Sequence, residues 1–208
     1  MALSAGTSPH ITLVDYVLPS PKSRPLTYTR DVLLIIGFSI FLALCSQVQF
    51  VLPFTPVPIT LQTLAVLLTG AALGSKRGAA SMLLYILEGA AGLPVFAGGV
   101  GGFVHLIGPT GGYIWAFPIA AFIVGLLCER RLERRFLTST LAMLPGTLII
   151  YAIGVSWLAI FLHINIGQAF VFGMLPFIPG DILKIVIAAL LLPGAWAIVR
   201  RTKAERSL

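Results

Sequence analysis

The chain has 208 residues, of which 58% are hydrophobic and only 10% charged, and its mean hydropathy is +1.00. A soluble domain carries about 25% charged residues, so this composition excludes an ordinary soluble globule and points to a polytopic membrane protein. The formal charge of +7 could suit nucleic acid in a soluble protein, but in a membrane protein it is first an orientation signal.

Residues 1–29 are more polar and contain Pro9, Pro19, Pro21 and Pro25. They hold no continuous apolar stretch of the kind a signal peptide needs, and read as a cytoplasmic arm, with ITLVDYVL lying on the membrane. Residues 30–201 form the membrane domain and 202–208 a cytoplasmic tail. Six apolar segments follow one another at 31–50, 61–74, 78–93, 112–128, 141–164 and 181–200. The second is short for a helix that must cross about 30 Å of hydrocarbon.

The charges between the segments decide how to count them. Lys22, Arg24 and Arg30 precede the first, and Lys76 and Arg77 separate the second from the third. Arg130, Arg131, Arg134 and Arg135 separate the fourth from the fifth, and Arg200, Arg201, Lys203 and Arg206 end the sixth. If all six cross, every one of these cations is cytoplasmic, as the positive-inside rule requires. Both termini are then cytoplasmic, and Lys184 is the one cation left on the outer side. The expected fold is an all-α bundle of six transmembrane helices in the plasma membrane, with no nucleic-acid partner.

The outer loops VLPFTPVPIT, FAGGVGGFVHLIGPTGG and NIGQAFVFGMLPFIPG are nonpolar and rich in Gly and Pro. They are expected to fold over a pocket between the helices, where irregular backbone at membrane depth is tolerated. Asp181, in PGDILK, sits where a helix N-cap belongs. Lys184 would then be the third helical residue, where the macrodipole disfavours a cation and the membrane adds a further penalty. Asp181 lies on the same face, so the pair reads as either a structural ion pair or a polar handle for a ligand.

Gln62 opens the second segment with an amide that both donates and accepts; it suits an interface with water or a ligand. Glu88 is a candidate proton or cation site, or a residue reaching the interface. Gly98, Gly99, Gly101, Gly102, Gly111 and Gly112 lack the Gly-Lys-Ser/Thr ending of a phosphate loop. They are better suited to close backbone approach to a ligand or to N–H groups aimed at an anion. His105 and His163 lie on separate loops, and neither hydrolase nor metal-site signatures occur. Cys45 and Cys128 form no C-x-x-C pair and read as buried free thiols. Ser39 and Ala43 are a small-xxx-small pair for close helix contact, within the bundle or with a partner subunit.

In order, PVPITLQTLAVLLTGAALGSKRGAASMLLY, GAAGLPVFAGGVGG, GPTGGY and PFIPGDILK resemble the BioY family, the biotin-binding S components of energy-coupling factor (ECF) transporters. The resemblance covers about residues 31 to 200. It implies a six-helix fold with biotin bound near the outer surface as transported ligand, and no cofactor. It also implies partners, a transmembrane coupling subunit and two cytoplasmic ATPase subunits, so that this chain is not itself an enzyme. Asp181, Lys184 and Gln62 become ligand contacts, Tyr113 and Gly98, Gly99, Gly101 and Gly111 line the site, and Ser39 and Ala43 dock the coupling subunit. Glu88 and residues 1–29 fall outside the matched pattern.

A ureido ring offers one carbonyl between two N–H groups. Donor-only Lys184 and acceptor-only Asp181 could answer both, or Lys184 could hold the carboxylate instead. An S component for another vitamin, a self-sufficient carrier using Glu88, and an intramembrane enzyme are the alternatives.

Overall fold

The computed structural model describes residues 12–19, 21, 23–130, 132 and 135–205, the last six by backbone alone. Lys22, Arg131, Arg134 and Arg206 lie outside the described residues. The elements are α1 (Leu13–Val17), α2 (Arg24–Gln47), β1 (Gln49–Phe50), β2 (Ile59–Thr60), α3 (Gln62–Leu73) and α4 (Ser75–Ala90). They continue with α5 (Phe103–Leu106), α6 (Gly111–Glu129), α7 (Phe136–Leu162), α8 (Ile166–Gly173), a 3-10 turn (Leu175–Phe177) and α9 (Ile178–Glu205).

Four helical stretches are long and apolar enough to cross a membrane: Arg24–Gln47, Gly111–Glu129, Phe136–Leu162 and Ile166–Val199. The other two expected crossings fall on α3 and α4, with 12 and 16 residues. At 1.5 Å per residue they extend about 18 and 24 Å, less than the hydrocarbon thickness.

For α3 the reason lies in its position. Nine of its residues are buried, and it packs against α2, α4, α6, α7 and α9. A helix wrapped in protein satisfies its environment without matching the thickness of the lipid. Ala65, Ala116, Ala120 and Ala121 are fully buried where α3, α4, α6 and α7 meet, and small side chains of this kind let membrane helices approach closely. Where α4 begins, the Glu129 carboxylate at the end of α6 accepts from the Ser75 backbone N–H at 2.7 Å and hydroxyl at 2.8 Å. An anion at a helix N-terminus fills donors that the helix itself leaves open.

In its described residues the N-terminal segment is packed on the bundle. Helix α2 runs back to Arg24, with Pro25 in its first turn, and α1 docks on α3 and α9. Asp15 is the clamp: Arg30 Nη2 donates to it at 2.7 Å and Arg77 donates from both terminal nitrogens at 2.8 and 2.6 Å. Asp31 receives Arg77 and Arg30 beside it. Tyr16 stacks obliquely on Trp196 with ring centroids 5.3 Å apart. Burial by itself would raise the Asp15 carboxyl, but the hydrogen bonds from Arg77, Arg30 and Thr12 outweigh it and hold the group well below the usual carboxylate range.

Candidate binding site

A cavity of about 610 Å³ opens at the end of the bundle where α3 and α9 begin. That volume falls within the range of roughly 300–1,000 Å³ typical of small-molecule sites. Its walls come from the β1–β2 connection, the segment after α4, α6, α7 and the start of α9. Most of them are apolar, including Val57, Phe96, Ile114, Phe117 and Phe177.

One polar corner interrupts this lining. Lys184 Nζ donates to Asp181 Oδ1 at 2.7 Å and to Thr63 Oγ1 at 2.9 Å. The Thr63 hydroxyl donates to Asp181 Oδ1 at 3.1 Å, and the Tyr151 hydroxyl donates to Asp181 Oδ2. Asp181 and Lys184 are 5% and 6% exposed, so this ion pair is buried. A buried pair is tolerable only when the remaining lone pairs and protons are answered, which Thr63 and Tyr151 do here. Lys184, Thr63 and Tyr151 line the cavity, whereas Asp181 stands behind them. An ammonium has three protons; two are engaged, and the third is free to meet a ligand acceptor.

Asp181 is not the N-cap that PGDILK suggests. Helix α9 starts at Ile178 directly from the 3-10 turn, which puts Asp181 inside the first turn and Lys184 on the next. The shift lets Asp181 reach sideways to α7 and α3 instead of back to its own backbone.

A second polar group in the lining is Gln62, next to Thr63 at the start of α3. Gln62 Nε2 donates to the Tyr85 hydroxyl at 2.8 Å, while Gln62 Oε1 accepts from Thr60 Oγ1 at 3.1 Å. Tyr113 also lines the cavity and donates its hydroxyl proton to the Gly173 carbonyl at 2.8 Å. Its ring runs between Gly154 of α7 and Gly173 of α8, where a Cβ at either glycine would collide with it.

The glycine loop is built differently from the expected anion nest. Gly98 and Gly99 take positive φ values of 85° and 68°, conformations that only glycine adopts freely. The Gly99 and Gly111 N–H groups are already given to the carbonyls of Phe96 and Gly108, and Gly101 packs against the Leu93 carbonyl. None of the four glycines forms the wall; Phe96, Ala97 and Val100 do so for that loop. The glycines shape the turn that presents them.

Glu88 is set apart from the cavity wall. Its Oε1 accepts from Ser39 Oγ at 3.0 Å across the α2–α4 contact. Ser39 is fully buried, and Ala43 packs against the inner core. Both small residues therefore face the bundle, while Val32, Leu33, Ile36, Ile40 and Leu44 are exposed on the other face of α2. His105 lines the cavity. Among the described residues no group of His, Cys, Asp or Glu is arranged to hold a metal; Cys128 is buried and Cys45 half-buried, and neither is in a disulfide.

Three polar residues of the site escape a reading from sequence. Thr63 hides next to Gln62, and Tyr85 and Tyr151 sit within apolar helices. A phenol in such a setting needs a partner for its hydroxyl, and that was the available signal.

The family model described as the BioY family matches residues 18–201. A probable biotin transporter BioY of Pyrococcus horikoshii is 49% identical over 154 residues, covering 74% of this chain and 90% of that protein. A biotin transporter BioY of Rhizobium etli is 40% identical over 171 residues, covering 78% and 91%. Among solved structures, the S-component for biotin from an ECF-type ABC transporter matches with a TM-score of 0.73 and 26% identity, over 88% of this chain and 95% of that one. The chain, a multi-pass membrane protein by its apolar helices, belongs to the BioY family.

Proposed function

We propose that this chain is the membrane-embedded biotin-binding subunit of an ECF-type uptake transporter. The observation that carries the reading is the apolar cavity whose few polar groups include the charge-balanced Lys184–Asp181 pair and the Gln62 amide. Relatives named biotin transporters and a matching structure named as a biotin S-component support the choice of ligand.

Asp181 already neutralises Lys184, so a ligand carboxylate beside Lys184 would lose its water for little electrostatic return. The ureido ring is the better match. Its carbonyl takes the third Lys184 proton, and its N–H groups face the oxygens of Thr63, Tyr151 and Gln62. The thioether ring packs on Phe117 and Ile114, and the valerate points to the mouth, where water solvates its carboxylate.

ATP hydrolysis belongs to two cytoplasmic partner subunits and is transmitted by a transmembrane coupling subunit. Six crossings with both termini in the cytoplasm fit the loop cations. The test is equilibrium binding of labelled biotin to the purified chain without partners. Saturable one-to-one binding that unlabelled biotin displaces, and other vitamins do not, is expected. Saturable binding of a different vitamin, with none of biotin, would refute the reading.

A further inference from the structure

Tyr85 is fully buried on α4 and does not line the cavity, yet its hydroxyl occupies the middle of a chain of hydrogen bonds that starts there. Gln62 Nε2 donates to it at 2.8 Å, and it donates to the Val95 carbonyl at 3.0 Å. A phenol has one proton. With that proton given to Val95, Tyr85 can only accept from Gln62. The amide is thereby held with its NH₂ towards Tyr85 and its carbonyl turned the other way, towards Thr60, whose hydroxyl donates to it at 3.1 Å.

An amide rotated by half a turn would occupy the same volume with donor and acceptor exchanged. Nothing in the shape of the cavity distinguishes the two, because the amide oxygen and nitrogen are nearly the same size. We infer that Tyr85 is a positioning residue that fixes which way the Gln62 amide faces, and so sets the donor–acceptor polarity of that wall towards the ureido ring. The inference rests on the biotin-binding reading.

The far end of the chain has separate support. The Val95 carbonyl also accepts from Ser46 Oγ at 2.6 Å, and Gln47 Nε2 donates to the Phe96 carbonyl at 3.2 Å. The Tyr85 ring meets Phe96 edge-on at 5.5 Å. Removing only the Tyr85 hydroxyl leaves that ring contact and those anchors in place. The loss falls on the hydroxyl's own partners: the orientation of Gln62 on one side, and one bond each to Ser46 and the Val95 carbonyl on the other.

The experiment is a double-mutant cycle on labelled-biotin binding to the purified chain, with Tyr85→Phe, Gln62→Met and both together. Each single variant should weaken binding at least fivefold. The pair should be no weaker than Gln62→Met alone, because an absent amide cannot be misoriented. Gln47→Met, which loosens the same loop without touching Gln62 or Tyr85, should multiply its own effect into that of Gln62→Met. Wild-type affinity in Tyr85→Phe, or multiplicative effects of Tyr85→Phe and Gln62→Met, would overturn the inference.

Thermal melting of each detergent-solubilised variant identifies any that fails to fold. If Tyr85→Phe fails, Tyr85→Met, which also lacks the hydroxyl, takes its place in the cycle under the same criteria. Absence of biotin binding by the wild-type chain is a different result and counts against the proposed function instead.

Discussion

Lys184 and Asp181 have separable duties, although three residues apart and in contact. Lys184 reaches the cavity and Asp181 does not, so on the proposed function Lys184→Met removes a ligand donor while Asp181→Asn leaves that donor badly held. Each should weaken biotin binding more than tenfold, or about 1.4 kcal/mol, measured with labelled biotin at equilibrium. Stability separates the two variants from their combination. Taking one partner from a buried ion pair leaves an uncompensated charge and costs about 3–5 kcal/mol, so either single variant should melt well below wild type. The double variant Asp181→Asn with Lys184→Met strands no charge and should melt higher than either single one, while still failing to bind. Equal or greater destabilisation of the double variant would show that the pair is not buried as a unit. Tyr151→Phe should fall between, since it removes one donor to Asp181 Oδ2 and leaves the ion pair intact. The sequence exposes this corner only in part. A lysine outside the cytoplasmic cation pattern is conspicuous, but Thr63 and Tyr151 come from α3 and α7, and nothing local announces that they converge on α9.

At the level of elements, periodicity and loop charge outline the long helices well and the short ones poorly. The runs behind α2, α6, α7 and α9 are each long and apolar enough to declare themselves, whereas α3 is central because of what surrounds it, which no property of its twelve residues encodes. Pro-Gly-Asp resembles a helix start, but the 3-10 turn at Leu175–Phe177 feeds α9 without a break, so the helix begins three residues before Asp181, at Ile178. The docking of α1 was likewise invisible, since ion pairs from Asp15 to Arg30 and Arg77 span 15 and 62 residues. That clamp gives a pH prediction. The folded Asp15 carboxyl lies below its unfolded value, near 3.9 for an unperturbed Asp. Its contribution is therefore complete above about pH 4 and is lost as the pH falls through the folded value. A nitroxide at Val17→Cys, with Cys45 and Cys128 replaced by Ala, should be equally immobile from pH 8 to pH 5 and gain mobility only in stronger acid. Asp15→Asn should show that mobility at neutral pH. A label that stays immobile in Asp15→Asn would mean that the Tyr16–Trp196 contact and Leu13 hold α1 without the clamp.

For the whole molecule, the open question is how a bundle with a 12-residue central helix is threaded through a 30 Å layer. The cations provide the argument. Lys76 and Arg77 lie at the junction of α3 and α4, and Arg77 is bonded to Asp15 and Asp31 beside α1 and the start of α2. The end of α3 thus meets the same side of the bundle as the beginning of α2, while its start at Gln62 opens into the cavity on the opposite side. A chain that runs from the cavity to the Arg77 cluster and returns along α4 traverses most of the bundle twice, despite the short helices, because α3 is enclosed by protein and α2 lies beside both. Cysteine accessibility decides the point. In a Cys45→Ala and Cys128→Ala background, Lys76→Cys should react with a membrane-impermeant maleimide only in inside-out vesicles, and Val100→Cys only in right-side-out vesicles or intact cells. Reaction of both positions from the outside would make α3 and α4 a re-entrant pair. Such a pair keeps the sidedness of every later loop but puts Lys76 and Arg77 on the outer side, against the positive-inside rule.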